Sequence, residues 1–222
     1  MIIYCATDIN YFNLYFELWA TQINKFYPNV PKSIGIYKPT VEAIATCNKH
    51  GIECKDITDL MPENPTRKHF YLLRWLTLPF EQGDAILETN VTSLAVKKQD
   101  FSSFYYKGID HLRICRAKGG PSSKKRPIRT LGGVSAALFT PAAAKRVVEQ
   151  AKIIIQDPPE SDHEMNMWQA ENLTSEKVKA EQQIGRLDRE LQEDTCWLYA
   201  GGSSWNNTPE DKIEIMRHYT NE

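Results

Sequence analysis

Ile2-Ile3-Tyr4-Cys5-Ala6-Thr7-Asp8-Ile9-Asn10-Tyr11-Phe12 opens the chain, and its reading decides the rest. Ile2 to Ala6 is a short apolar run rich in β-formers and stopped by Thr7-Asp8, which predicts a buried strand. Behind it Phe12, Tyr15, Phe16, Trp19 and Ile23 recur at three- and four-residue steps. That spacing predicts an amphipathic helix over 11–26, ended by Pro28 and Pro31. Working outward, Ser33 to Tyr37 reads as a second strand closed by Lys38-Pro39, and Thr40 as the cap of a helix running through Cys47. His50-Gly51 stops that helix, and Ile52 to Ile57 is a third strand. The order β-α-β-α-β predicts an α/β fold: a mostly parallel central sheet with helices on both faces.

The chain continues with a Pro-containing loop and an apolar helix from Lys68 to Leu78, ended by Pro79. Asp84 to Val91 follows as a strand centred on Ala85-Ile86-Leu87. Gly108, Gly119, Gly120, Pro121 and Pro127 mark residues 108–129 as loop. Leu131 to Phe139 reads as strand, and Thr140-Pro141 opens a helix through Ala151. Beyond Asp157-Pro158-Pro159, residues 157–222 form a C-terminal, largely helical segment. It comprises a charged helix over Ser175 to Glu193, a short strand at Cys196 to Ala200 and a closing helix near Pro209 to His218. Without repeats or low-complexity tracts, 1–222 reads as a single domain.

Composition bounds the function. The 222 residues carry 27 Lys+Arg against 28 Asp+Glu, a net charge of −1, so the chain as a whole is no polycation. Hydrophobic residues at 41% and charged residues at 25% are those of a globular protein that buries a core. No apolar run approaches the roughly 18 residues of a membrane helix. An acid at Asp8 interrupts the start before any signal-peptide core develops. Five scattered cysteines without a CxxC pair suit reduced thiols and leave no cysteine zinc site, which together predict a cytoplasmic protein.

In a parallel α/β sheet, ligands bind beyond the carboxyl ends of the strands. Those ends bring together Thr7-Asp8-Ile9-Asn10-Tyr11, Glu88-Thr89-Asn90, the Gly132-Gly133 approach and, further on, Asp162-His163-Glu164. In kind and order the set resembles the GT-A fold nucleotide-sugar glycosyltransferases, closest to the glycogenin-like and lipopolysaccharide-galactosyltransferase-like family, over most of the chain. The resemblance implies that Thr7, Asp8 and Tyr11 hold the nucleoside, Tyr11 by stacking; the alternative for Tyr11 is the apolar face of the first helix. Arg74, inside an apolar helix, must meet an anion or reach water, and a pyrophosphate or the Glu88 carboxylate would satisfy it bidentately. Glu88 and Asn90 stand where the family has its Asp-x-Asp metal ligands, implying Mn²⁺ or Mg²⁺ at the diphosphate. The carboxylate at position 90 is lost, and so are the His and Lys of the family's last motif, although Gly201-Gly202 and Trp205 persist. Gly132 and Gly133 resemble the turn that approaches the donor sugar. Asp162, His163 and Glu164 resemble the family's Asp-Gln-Asp, which lies against the sugar and the reacting carbon.

Between His111 and Arg129 stand Arg113, Arg116, Lys118, Lys124, Lys125, Arg126 and Arg129, with no acid. This run has two uses: Lys124 and Arg126 clamp a diphosphate in place of metal charge, or the run tracks an anionic acceptor such as DNA. The latter suits a glycosyltransferase acting on a hydroxylated base. Two functions follow. One is sugar transfer from a nucleotide-sugar donor, UDP-sugar foremost and with retention by resemblance, to an acceptor hydroxyl. The other is a catalytically degenerate GT-A domain that binds nucleic acid or protein. A nucleotidyltransferase would want a Gly-rich phosphate loop with a Lys after the first strand, and Asp8 to Leu14 has neither.

Overall fold

In the computed structural model, residues 1–98, 101, 111–115, 134–158, 197–199 and 208–220 are described. Asp8 both ends the first strand, β1 (Ile2–Asp8), and starts the first helix, α1 (Ile9–Phe26). Its Oδ1 accepts from the backbone amides of Asn10 (2.8 Å) and Tyr11 (3.0 Å), satisfying two donors the first helical turn leaves open. The chain then runs through β2 (Lys32–Tyr37), α2 (Val41–Lys49), β3 (Glu53–Asp56) and a single 3-10 turn at Thr58–Leu60. Next come α3 (Arg67–Leu76), β4 (Ile86–Thr89), β5 (Ser93–Ala95), β6 (His111–Cys115) and β7 (Val134–Phe139). It ends with α4 (Pro141–Ile154), β8 (Trp197–Tyr199) and α5 (Pro209–Thr220).

Six strands form the main sheet in the order β3-β2-β1-β4-β7-β6. β1 pairs in parallel with β2 and β4, and β2 with β3. β7 runs antiparallel to β4 and to β6, so five strands share a direction and β7 alone opposes it. The α/β sheet expected from the sequence is present, with this reversal and one more correction. Residues 108–129 were expected as loop throughout, yet His111–Cys115 is the strand β6. The alternation Leu112, Ile114 is a strand signal that the glycines and cations around it hide, and a sheet edge tolerates Arg113 between them.

Helices cover both faces. On one, the α1 stripe of Phe12, Phe16, Trp19 and Ile23 packs with Ile3, Cys5, Ile34, Ile36 and Leu87. The Trp19 indole N–H donates to Thr89 Oγ1 at 2.9 Å, so this buried ring carries no orphaned donor. The β5–β8 ribbon joins the same core through Leu94 and Trp197, the latter stacked on Tyr27. On the other face, Leu72, Trp75 and Leu76 of α3 and Val147, Val148 and Ala151 of α4 lie over Tyr4, Ile86 and Phe139. Gly35 makes this packing feasible: a Cβ there would come within 2.6 Å of the Tyr4 hydroxyl.

Candidate functional site

The rim formed by the carboxyl ends of β1, β2 and β4 follows from their register. Asp8 pairs with Tyr37, so the turn into α1 and the turn out of β2 stand side by side, while Cys5 pairs with Thr89, which puts the Asn90 turn on the other side of β1 and level with Ala6. Beyond β1 and β2 lies a cavity of about 360 Å³. Asp8, Asn10 and Tyr11 line it from the α1 turn, Tyr37 and Lys38 from the end of β2, and Phe70 from α3. Tyr37 and Phe70 meet edge to face at 5.4 Å, a fixed aromatic corner. Tyr11 is 43% exposed, so its ring is presented to solvent rather than spent on the core; Tyr15, beneath it, is the buried member of the pair. Burial pushes the Tyr15 hydroxyl up to about 12, with Tyr11 and Glu210 adding to the shift, and it stays neutral. Among the described residues, the cavity thus combines aromatic surface with the Asp8 carboxylate and the Lys38 ammonium.

Sequence reading gave Thr7, Asp8 and Tyr11 as site residues; Asp8 and Tyr11 line the cavity and Thr7 is buried beside them. It missed Tyr37, Lys38 and Phe70, having taken Lys38-Pro39 only as the end of a strand. The signal was available, because β2 ends on the same rim as β1.

Further along the rim, Glu88 points to the α3 face. Arg74 Nε donates to its Oε1 at 2.6 Å and Arg74 Nη2 to its Oε2, while Trp75 lies under the guanidinium at 4.5 Å. Glu88 has no exposed surface, and the Arg74 side chain is 16% exposed. Of the two anions the sequence offered Arg74, the structure supplies the carboxylate. Burial also holds the neighbouring Tyr4 hydroxyl and Cys5 thiol far above their ordinary values, so both remain neutral. Asn90 turns onto its own loop: its Oδ1 accepts from the amide (3.1 Å) and the hydroxyl (3.0 Å) of Thr92.

Val134, the first residue of β7, pairs with Cys115, the last of β6, at this same rim. Lys124, Arg126, Gly132 and Gly133 fall between them in sequence, outside the described residues; Asp162, His163, Glu164, the helix expected over 175–193, Gly201-Gly202 and Trp205 also lie outside the described residues.

Three solved structures align with nearly the whole chain. The glycosyltransferase GlyE of Streptococcus pneumoniae TIGR4, in its apo form, matches with a TM-score of 0.54 at 12% identity, over 99% of this chain and 59% of GlyE. A galactosyltransferase, LgtC, in complex with donor and acceptor sugar analogs gives 0.54 at 11% identity, over 100% of this chain and 95% of its own. A glycosyltransferase involved in glycosylation of the major capsid of PBCV-1 gives 0.52 at 10% identity, over 97% and 100%. The fold is that of a GT-A glycosyltransferase. This chain spans about 59% of the length of GlyE. No protein-family model matches the sequence, and no curated protein matches it in sequence.

A GT-A fold implies a divalent cation held by the residues at 88 and 90, and the side chains as placed do not fit one. Both Glu88 oxygens accept from Arg74 in a fully buried setting, and the Asn90 oxygen caps Thr92. A cation there would have to displace a guanidinium with which it shares its charge. Among the described residues, no three His, Cys, Asp or Glu side chains gather as a metal site. None of the described helices is long and apolar enough to cross a membrane.

Proposed function

We propose that this GT-A domain transfers a sugar from a nucleotide-sugar donor, UDP-sugar foremost, to an acceptor hydroxyl. The acceptor oxygen attacks the anomeric carbon, the bond from that carbon to the diphosphate breaks, and the nucleoside diphosphate leaves with the electron pair. The hydroxyl proton passes to a general base, for which Asp162 and Glu164 are the candidates, with His163 between them. The observation that carries the reading is the cavity itself. It is an aromatic-walled recess at the carboxyl ends of β1 and β2, with Asp8, Asn10 and Tyr11 on its lip, in a fold shared with a galactosyltransferase solved with donor and acceptor sugar analogs. Thr7, Asp8 and Tyr11 hold the nucleoside, and Gly132-Gly133 approach the sugar. The basic run ending at Arg129 serves the diphosphate through Lys124 and Arg126, or an anionic acceptor such as DNA. Titration of a panel of nucleotide sugars, with and without Mn²⁺, tests this. Saturable binding with slow donor hydrolysis supports it, and no binding of any nucleotide sugar at millimolar concentration refutes it.

The engagement of Glu88 with Arg74 favours a second reading, a domain that retains the fold and the recess but not turnover. Nucleotide binding with neither hydrolysis nor transfer would single it out.

A further inference from the structure

Among the described residues Lys38 is the one cation lining the recess, and its backbone is held in an unusual conformation. Its φ is +54°, the left-handed region that favours glycine, and among the described residues no other non-glycine has a positive φ. Pro39 follows it directly, so proline geometry restricts the residue as well. A small network fixes this turn. The Lys38 amide donates to Thr58 Oγ1 (2.9 Å), and the Thr58 hydroxyl (2.6 Å) and amide (2.9 Å) both donate to Asp56 Oδ1. The ammonium lies 5.2 Å from the centroid of the Tyr37 ring. A strained, buttressed residue that carries charge into a cavity fits a ligand clamp.

Topology says which end of a nucleotide it meets. The order β2-β1-β4 separates the end of β2 from the Asn90 turn by two strand spacings across the sheet, roughly 10 Å, and the register sets that turn back along the strands as well. The aromatic groups Tyr11, Tyr37 and Phe70 stand on the β2 side. The Arg74 guanidinium, and the chain ends Cys115 and Val134 that flank the cationic segment, stand on the β4 side. A nucleotide laid across the β1 turn therefore has its base at Lys38 and its phosphates beyond Asn90. An ammonium only donates, and the acceptors a uracil base offers at its edge are its carbonyl oxygens. We propose that Lys38 is a nucleoside-binding residue whose ammonium donates to a carbonyl of the bound base, rather than a phosphate contact. The inference rests on the nucleotide-sugar reading above.

Lys38→Gly tests it, because glycine accepts φ +54° and removes only the ammonium and its stem. Uridine and UDP are the probes, measured by calorimetry beside thermal unfolding. Loss of one charge-assisted hydrogen bond weakens binding about tenfold or more. The expected result is the same loss for uridine as for UDP, an unfolding temperature not lowered, and partial recovery in Lys38→Arg. A loss confined to UDP would assign Lys38 to phosphate and overturn the proposal, as would unchanged affinity for both probes. Failure of the unaltered protein to bind either probe would overturn the nucleotide-sugar reading, and this inference with it.

Discussion

Replacing Glu88 by Gln keeps the shape of the side chain and removes its charge, so it isolates what the buried pair with Arg74 does. Glu88 is fully buried and accepts from two guanidinium nitrogens, and only 16% of the Arg74 side chain reaches water. Removing one partner of a buried pair costs about 3–5 kcal/mol, since it strands the other charge. The exposed part of Arg74 lets water relieve some of that, which favours the lower figure, about 3 kcal/mol. In a chain of this size each kcal/mol shifts the unfolding midpoint by roughly 2–4 °C, so Glu88→Gln should unfold about 6–12 °C lower. Urea unfolding of Glu88→Gln, Arg74→Gln and the double variant closes a cycle, and the double variant should be less destabilised than the sum of the singles. A loss below about 1 kcal/mol for Glu88→Gln would refute the reasoning, because that is the range of solvent-exposed pairs. A second result would refute it independently: a rise in the wild-type midpoint with millimolar Mn²⁺ that Glu88→Gln abolishes would make the carboxylate a metal ligand.

Tyr11→Ala should weaken UDP binding by about 1–3 kcal/mol, the worth of one base–aromatic stack, with the unfolding midpoint little changed because the ring is 43% exposed; unchanged affinity by calorimetry would return Tyr11 to the helix face. Asp8→Ala should cost about 1 kcal/mol of stability as a lost helix cap, whereas Asp8→Asn, an equally good cap, should cost little. Denaturant curves of the two variants check this, and equal losses would count against the capping role. Among Cys5, Cys47 and Cys54, native-state alkylation at mildly alkaline pH should label Cys54 first. The Cys47 thiol donates to Cys54 and draws it below the ordinary thiol value, and Cys54 is partly exposed; the same hydrogen bond, with burial, raises Cys47, and burial holds Cys5 well above that value. The thiolate is the nucleophile, so a lowered value means more reactive form at a given pH. Peptide mass mapping that found Cys5 or Cys47 modified ahead of Cys54 would contradict the assignment.

Much of the fold is legible in the sequence because its signals are local. The stripe Phe12, Phe16, Trp19, Ile23 and the caps Thr40 and Thr140 state where helices lie, and the stripe states which face is buried. Strand direction is not local: Val-Ser-Ala-Ala-Leu-Phe at 134–139 reads the same whether it runs with β4 or against it. Half of the recess was legible, since the turn after β1 carries polar and aromatic residues where a parallel sheet binds ligands. Lys38 was not, because its conformation is set by Thr58, twenty residues away in sequence. Nor was the partner of Arg74 decided by sequence, where a phosphate and a carboxylate satisfy a guanidinium equally; register and the α3 packing place Glu88 beneath it.

The reversal of β7 has a consequence for the site. In a wholly parallel sheet, the segment between neighbouring strands leaves at the carboxyl rim and returns at the opposite edge, carrying its residues away from the ligand. β6 runs with β4 and β7 runs against it, so the chain leaves Cys115 at the rim and re-enters at Val134 on that same rim. Six of the chain's cations, Arg116, Lys118, Lys124, Lys125, Arg126 and Arg129, lie in the intervening sequence. The two ends of that sequence, Cys115 and Val134, stand on the β4 side of the rim, where the Arg74–Glu88 pair also lies. One antiparallel strand thus returns the chain to the edge it left, because β7 must start where β6 ends for the two to pair in opposite directions.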